Sequence, residues 1–305
     1  MEGWLILLNK TNRSTTSKGV LYTLIAGTCW GFSGVCGQYL LSNCQLNAKW
    51  LTSIRMLSAG IILTSYCLLK QRTAVVGLMK DKGSLVQLLL FAIAGLTVCQ
   101  YTYINAIKYT NAGTATVLQY LGPIFILIYV CIKSLRLPKL KEIIAIILAL
   151  TGTFFIATGG NIHTLIISKE GLFWGILSAV GAFLYTLLPG AIIKKWNSTV
   201  VTGLGMLVGG VVLFVGVRAW NIPVTLSKSA LIALVAIVVI GTVIAFTLYL
   251  QGVRMLGAVK ASMIASVEPV SATCFSTFLL GTHFHTMDFL GFACIVTTVF
   301  LLSNN

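Results

Sequence analysis

One carboxylate stands deep inside an apolar stretch of the sequence. Glu268 lies in ASVEPVSA, residues 265–272, where small and apolar residues surround it and Pro269 follows at once. An ionised carboxylate is costly at membrane depth, so it must face the protein interior and meet a cation or take up a proton. Glu268 is therefore a candidate for proton exchange or for binding a cationic solute. A structural interpretation stays open, in which a protonated Glu268 is hydrogen-bonded and holds helices together.

Polar and aromatic side chains recur at helical spacing on other apolar stretches. In one of them, Gln38 follows Trp30 on the same predicted helix face. Such stripes either line a solute cavity or hold helices together through hydrogen bonds and packing, and both interpretations remain open. Aromatic rings in a cavity would favour a cationic amine, because the ring quadrupole attracts positive charge. The candidate cavity residues are Trp30, Gln100, Gln119 and Tyr185.

One arginine also falls inside an apolar stretch. Arg55 is predicted to lie about five residues, or roughly 8 Å, below the outer membrane surface. Its guanidinium has three interpretations: it reaches the surface along its own aliphatic stem, it binds an anionic lipid head, or it pairs with a substrate carboxylate.

Prolines interrupt three of the apolar stretches. A proline inside a helix has no N–H to donate, so the carbonyl four residues earlier loses its hydrogen-bond partner. Kinked helices beside a cavity can offer such carbonyls to a solute. The predicted kinks are at Pro123, Pro189 and Pro269, which free the carbonyls of Gln119, Tyr185 and Ala265.

The elements that carry these residues are predicted to be membrane helices. Of the 305 residues, 57% are hydrophobic and only 9% are charged, whereas soluble domains are about a quarter charged. Lipid offers no partners for backbone polar groups, so spans of about 20 apolar residues must be helical. The predicted fold is all-α, with ten spans at 19–41, 50–69, 84–106, 112–132, 140–159, 171–193, 199–217, 229–253, 257–280 and 286–303.

The basic residues indicate which loops face the cytoplasm. The formal net charge is +15, and most lysines and arginines fall in alternate loops. This distribution is typical of the positive-inside bias and of contact with anionic lipid heads, and nucleic-acid binding is not predicted. It predicts a multi-pass protein of the cytoplasmic membrane, with both termini in the cytoplasm and residues 1–18 as a cytoplasmic leader.

The two halves of the chain resemble each other. ATVLQYLGPIFI, residues 115–126, aligns with ASMIASVEPVSA, residues 261–272, and Gly122 then stands opposite Glu268. Five spans per repeat is an odd number, so the second copy enters the membrane from the opposite side. Inverted repeats are typical of secondary transporters, which expose a midplane site to each face in turn. The predicted repeats are 19–159 and 171–303, five spans each.

Other function classes lack their signatures in this sequence. It contains no HExxH motif, no nucleophile–base set at membrane depth and no nucleotide-binding P-loop, so neither an enzyme nor an ATP-driven pump is predicted. His283 and His285 have only Asp288 nearby, which makes no closed ligand set. No metal and no cofactor are therefore predicted.

These segments together resemble the EamA-type drug/metabolite transporter superfamily. The resemblance rests on Trp30 with Gly31, Arg55, ATVLQYLGP and KASMIASVEPVSA, and it covers residues 18–302. Within the superfamily, the chain is similar to bacterial inner-membrane permeases labelled carboxylate/amino-acid/amine transporters. The resemblance implies ten spans, a central cavity lined mainly by spans 1, 3, 4, 6, 8 and 9, and passage of small polar metabolites. Thr282 stands where many relatives carry an acidic residue, so no role is carried over to it.

The sequence thus predicts an alternating-access permease for a small polar metabolite such as an amino acid or an amine. Export is the predicted direction, with proton coupling as one way to drive it. The alternatives are an importer of a quaternary amine and a non-transporting scaffold or receptor. The expected partners are the solute and the lipid bilayer, for a chain that acts as a monomer or a homodimer.

Overall fold

A computed structural model describes residues 2–161, 166–257, 260, 261 and 264–303. Helices make up 85% of it, and the described residues contain no strand. Eight helices there are long and apolar enough to cross a membrane, and two shorter apolar helices follow them. The all-α membrane fold predicted from the sequence is therefore confirmed. The count of ten spans stays a prediction.

The described residues of the first half, 2–161, form eight α-helices. The first helix continues through the predicted leader without a break, and a short helix that was not predicted lies between the second and third spans. The helices are α1 (Glu2–Ser42), α2 (Ala48–Lys70), α3 (Arg72–Lys80), α4 (Lys82–Leu90), α5 (Val98–Tyr109), α6 (Ala112–Gln119), α7 (Gly122–Lys133) and α8 (Leu140–Thr158).

The second half contributes seven further α-helices to the described residues. Short 3₁₀ turns follow α9 and α11. The helices are α9 (Lys169–Leu187), α10 (Ile192–Lys195), α11 (Ser198–Gly216), α12 (Lys228–Val238), α13 (Ala245–Leu256), α14 (Val267–Leu280) and α15 (Thr286–Ser303).

Two spans contain a π-helical segment. The first, Phe91–Thr97, joins α4 to α5, and the second, Val239–Ile244, joins α12 to α13. In the first segment, the Thr97 hydroxyl donates a hydrogen bond of 2.8 Å to the carbonyl of Ala92, five residues earlier. In the second, the Thr242 hydroxyl donates one of 2.8 Å to the carbonyl of Ile237, also five residues earlier. A π turn holds an extra residue and shifts the phase of the helix that follows. The faces of α5 and α13 therefore cannot be extrapolated from α4 and α12.

The three predicted kink prolines lie where helices are interrupted. Helix α6 ends at Gln119 and α7 begins at Gly122, with Pro123 in its first turn. Pro189 lies in the 3₁₀ turn that follows α9. Pro269 lies in the first turn of α14. Two of these interruptions, before α7 and before α14, fall in the middle of the predicted spans 4 and 9.

Helices of the two halves pack against each other throughout the bundle. The main pairs are α2 with α11, α8 with α15, α5 with α9, and α1 with both α13 and α14. Glycines allow the closest approaches: Gly60 of α2 meets the backbone of α11, and a Cβ on Gly210 of α11 would lie 2.6 Å from the backbone nitrogen of Leu57. Small residues let membrane helices associate closely where lipid gives no hydrophobic drive. The two halves therefore form one interlocked bundle.

The outer surface of the bundle is apolar. Leu69 and Phe278 are each 84% exposed, and many other large hydrophobic side chains are also exposed. A soluble protein rarely shows such extensive apolar surface. This surface is suited to contact with lipid tails.

Candidate functional site

A cavity lies between the two halves of the chain. Its wall is built from α1, α2, α5, α6 and α7 of the first half, and from α9, α13 and α14 of the second. Small molecules often bind between the helices of a bundle, so this cavity is the candidate site. The wall includes α2 in addition to the six spans that the family resemblance implied.

All six residues predicted to bind substrate or to couple transport line this cavity. Pro123 lines it as well, whereas Pro189 and Pro269 are buried outside its lining. The structure thus brings together residues from six different helices, while the part each plays in transport stays a prediction. The six are Trp30, Arg55, Gln100, Gln119, Tyr185 and Glu268.

Glu268 is buried, with 5% of its surface exposed. The Tyr120 hydroxyl lies 3.3 Å from its Oε2 and also donates to the carbonyl of Ala265. Pro269 was expected to leave that carbonyl without a backbone partner; this is wrong, because the carbonyl accepts from the backbone nitrogen of Glu268 at 2.9 Å. A tyrosine hydroxyl has a single proton, so when it is given to Ala265, the Tyr120 oxygen can accept a hydrogen bond from a protonated Glu268. The geometry therefore accommodates Glu268 with or without its proton.

Arg55 is also buried, with 2% exposed. Its Nε donates to Thr242 Oγ1 at 2.7 Å, and its Nη2 donates to the carbonyl of Gly241 at 3.2 Å. Both acceptors belong to the second π-helical segment. The hypotheses that the guanidinium reaches the membrane surface or binds a lipid head are therefore wrong, because so buried a side chain has no access to either.

The two ionisable groups of the cavity do not form a salt bridge with each other. The described residues contain two salt bridges, Arg136–Glu142 and Lys195–Asp81, and both lie elsewhere. Among the described residues, neither Arg55 nor Glu268 therefore has an oppositely charged partner within salt-bridge distance.

Four aromatic side chains form a cluster in the cavity wall, termed here the aromatic box. The ring of Trp30 lies 4.9 Å from that of Phe246 and 4.8 Å from that of Tyr249, measured between centroids. Tyr185 packs 5.3 Å from Phe246 and 5.8 Å from Tyr249. Ring faces attract cations and also pack well against apolar groups. The aromatic box can therefore contact either an ammonium group or an apolar side chain of a solute.

Several lining residues were missed by the sequence interpretation. Tyr120 lies in the turn between α6 and α7, where helical spacing no longer applies, and Phe246 follows the phase shift of a π segment. The sequence did contain one signal for two further lining residues. The internal alignment of the two halves places Tyr103 opposite Tyr249, and both line the cavity.

Gln38 lies outside the cavity, although it shares a predicted face with Trp30. Its Oε1 accepts from the backbone nitrogen of Ala112 at 2.9 Å and from Ser276 Oγ at 3.0 Å, and its Nε2 donates to Thr282 Oγ1 at 3.1 Å. These bonds join α1 to the start of α6 and the end of α14. Gln38 thus serves helix packing.

Comparison with known proteins gives consistent matches over nearly the whole chain. The model of the EamA-like transporter family matches residues 17–158 and again residues 169–304. An uncharacterized inner membrane transporter of Salmonella typhimurium, YicL, is 37% identical over 289 residues, which cover 95% of this chain and 96% of that protein. An uncharacterized inner membrane transporter of Escherichia coli strain K12, YedA, is 25% identical over 83% of this chain and 80% of its own length.

A solved structure described as "Crystal structure of protein" has a similar fold. Its TM-score is 0.61 at 15% identity, and the match covers 90% of this chain and 95% of that one. At this identity the likeness concerns the fold alone. The relatives indicate a multi-pass transporter of the inner membrane rather than an enzyme.

Proposed function

The chain belongs to the EamA-like transporter family, and on this basis we propose that it is an alternating-access secondary transporter for a small polar metabolite, such as an amino acid or an amine. The cavity carries the proposal. Both halves of the chain build its wall, which holds one buried cation, Arg55, and one buried carboxylate, Glu268. A site shared by two halves can open to either membrane face when they move relative to each other. Export is the proposed direction.

We further propose that the chain has ten spans in two inverted repeats. The family model matches the chain twice, and each half contains a π-helical segment and a helix break followed by a proline. The contacts between halves are also reciprocal: span 1 packs against span 8, as span 3 packs against span 6. This reciprocity is expected where two copies of one five-helix unit are related by a two-fold axis.

Glu268 is proposed to carry the charge that transport requires. Its burial in the cavity and its contact with Tyr120 support a group that binds and releases a proton. A carboxylate in the same position would also attract the ammonium group of a solute. The two roles differ in their pH dependence, because only proton exchange requires Glu268 to change its protonation state during transport.

Import of a quaternary amine is a second candidate function, favoured by the aromatic box. Aromatic cages bind quaternary ammonium groups through the ring faces. The buried charge of Arg55 in the same cavity opposes a purely cationic solute, and it therefore favours the first candidate.

The proposed function can be tested with purified protein in liposomes. Vesicles loaded with a mixture of unlabelled amino acids and amines are expected to take up a labelled member of the mixture by exchange, while vesicles without protein do not. Lack of exchange for every amino acid and amine, with correctly folded protein, would instead favour a scaffold or receptor.

The proposed topology can be tested by labelling single cysteines in a background where all eight native cysteines are replaced. Cysteines at Lys80 and Lys194 are expected to react with an impermeant reagent only from the cytoplasmic side, and one at Lys169 only from the outside. Reaction of the Lys80 position from the outside would contradict the inverted-repeat proposal.

A further inference from the structure

The cavity wall contains hydrogen-bond donors that have no acceptor. Among the described residues, eight buried side-chain polar atoms have no hydrogen-bond partner, and four of the eight belong to cavity residues. Three of these four atoms can only donate, and the fourth is a hydroxyl. Buried polar groups are normally paired, so such a concentration in one place indicates a ligand. The four are Trp30 Nε1, Arg55 Nη1, Gln100 Nε2 and Tyr185 Oη.

Of these four groups, Arg55 is the most costly to bury, because it carries a full charge. A guanidinium stays protonated in proteins, and its burial is costly unless an anion balances the charge. Its two observed acceptors, the Thr242 hydroxyl and the Gly241 carbonyl, are neutral. The described residues place no carboxylate within salt-bridge distance of it. An anionic group on a bound solute would balance the charge and accept from Nη1.

Gln100 lies on α5, which packs against α2, the helix that carries Arg55. Both residues line the cavity. The amide nitrogen of Gln100 also lacks a partner. The two donors therefore belong to neighbouring helices of the same cavity wall.

We infer that the transported solute bears a carboxylate, which binds Arg55 and Gln100. This inference rests on the proposed function and narrows it, because an amine without a carboxylate would place a second cation near Arg55. A carboxylate offers two coplanar acceptor oxygens that suit a guanidinium. Among the described residues of the wall, Arg55 is the only cationic side chain and Glu268 is an acid, so the site suits a single negative charge better than a doubly charged phosphate.

The test uses matched compounds on the full-length protein. Each amino acid is compared with its methyl ester, with the amine that lacks its carboxylate, and with the acid that lacks its amino group; inorganic phosphate is included. Dissociation constants are measured by calorimetry in detergent. At least one compound with a free carboxylate is expected to bind about 10- to 100-fold tighter than its ester and its amine, the range of a charge-assisted hydrogen bond.

Substitutions test which residue causes the tighter binding of acids than of esters. Arg55→Gln should bind acid and ester with similar affinity, Arg55→Lys should keep part of the difference, and Lys49→Gln, which changes an exposed cation on the same helix, should behave as the wild type. Because Arg55→Gln also disturbs the bonds to Thr242 and Gly241, Gln100→Glu serves as a second variant. It adds a negative charge to the cavity wall, which repels the carboxylate of the solute, so it should weaken binding of the acid about 10-fold or more and leave the ester unchanged.

Three results would overturn the inference: esters or amines that bind the wild type as tightly as the acids, phosphate that binds tighter than any carboxylate, or no binding of any carboxylate. Transport is scored separately in liposomes. Carboxylate binding that depends on Arg55, without exchange, would keep the carboxylate site and refute the transporter.

Discussion

Two helix breaks beside the cavity share a backbone design but differ in polarity. The break before α7 and the break before α14 are both followed by a proline in the first helical turn, Pro123 and Pro269. Gly122 at the first break packs against α9, where a Cβ would lie 3.3 Å from a backbone carbonyl. Glu268 occupies the aligned position at the second break and faces Tyr120. One interruption of the helix thus supports packing, and its counterpart presents an ionisable group.

The two breaks are also bonded to each other. Tyr120, from the first break, donates to the carbonyl of Ala265 at the second. The Ala265 carbonyl also accepts from the backbone nitrogen of Glu268 at 2.9 Å, so Tyr120 adds a second hydrogen bond that links the two breaks. The two breaks thus share a similar backbone, and the side chains at positions 122 and 268 account for their difference in polarity.

The largest effect is expected from removing the charge at the second break. Glu268→Gln keeps size and hydrogen bonding but cannot ionise, so a proton-coupled transporter should lose pH-driven accumulation by 10-fold or more and still exchange solute. If the carboxylate instead binds an ammonium group, affinity should fall at every pH. Both are measured with labelled solute in liposomes. Glu170→Gln, which neutralises an exposed carboxylate in the first turn of α9, is the control, with little change expected. Wild-type rates and pH dependence in folded Glu268→Gln would make the carboxylate structural.

A large loss of stability is expected where α1 packs on the second break. A Cβ on Gly31 would lie 2.6 Å from Ser271 Cβ and 2.7 Å from the backbone nitrogen of Ala272. Gly31→Leu should therefore destabilise the protein by about 3 kcal/mol, the upper end for overpacking. Gly216→Leu is the matched control, since nothing lies within 4 Å of that position. Equal unfolding temperatures in detergent would show that α1 can move away from α14 at little cost.

A smaller effect is expected at the aromatic box. Trp30→Ala and Tyr185→Ala should each weaken binding of an amine-bearing solute by up to about 2 kcal/mol, the value of a desolvated cation–ring contact. Trp220→Ala removes an indole that is 58% exposed and outside the cavity, so it should leave affinity unchanged. If both cavity variants bind like the wild type, these rings serve packing.

The hydrogen bond from Tyr120 to Ala265 should contribute less to stability than the helix packing at Gly31. Tyr120→Phe removes the hydroxyl that reaches Ala265 and Glu268, and a loss of about 1 kcal/mol of stability is expected for one buried hydrogen bond. Tyr129→Phe, at a position 41% exposed on α7, is the control. A Tyr120→Phe protein as stable as the wild type would mean that the breaks are held together by packing alone.

The smallest effect is expected far from both breaks. Lys195 donates to Asp81 and holds the pKa of that carboxyl below its ordinary 3.8, at about 2. Because the folded pKa is lowered, the contribution to stability is present above about pH 4 and is lost as the pH falls towards 2. The small advantage of the wild type over Asp81→Asn in unfolding temperature should therefore disappear over this range. An advantage that persists at pH 2 would contradict this account.

The spans followed closely from the sequence, while local irregularities did not. The predicted spans 50–69 and 140–159 correspond to Ala48–Lys70 and Leu140–Thr158, because charged or polar residues end the apolar runs. Helix α3 was missed, since nine residues are too few to span a membrane. The π segments depend on contacts between helices, which no local pattern of residues reports.

Residues of the site could be predicted from the sequence only where a polar side chain interrupts an apolar stretch. Gln100 and Glu268 stand out in apolar stretches, and both line the cavity. Phe246 and Ala265 also line it, but they cannot be told from ordinary core residues by type or spacing. For Arg55, depth alone could not decide between lipid and cavity, because the direction of the side chain is set by its bonds to the second half.

The hydrogen bonds of Arg55 connect the cavity to the second π segment, which sets the rotation of α13 relative to α12. A π turn holds one residue more than an α turn, so its conversion to a regular helix would rotate α13 by about 100° relative to α12. Phe246 and Tyr249, which lie beyond the turn, would swing out of the aromatic box. Arg55 donates hydrogen bonds to this π turn, to the carbonyl of Gly241 and to the hydroxyl of Thr242. These two hydrogen bonds therefore tie the position of the Arg55 guanidinium to the rotation of α13 about its axis.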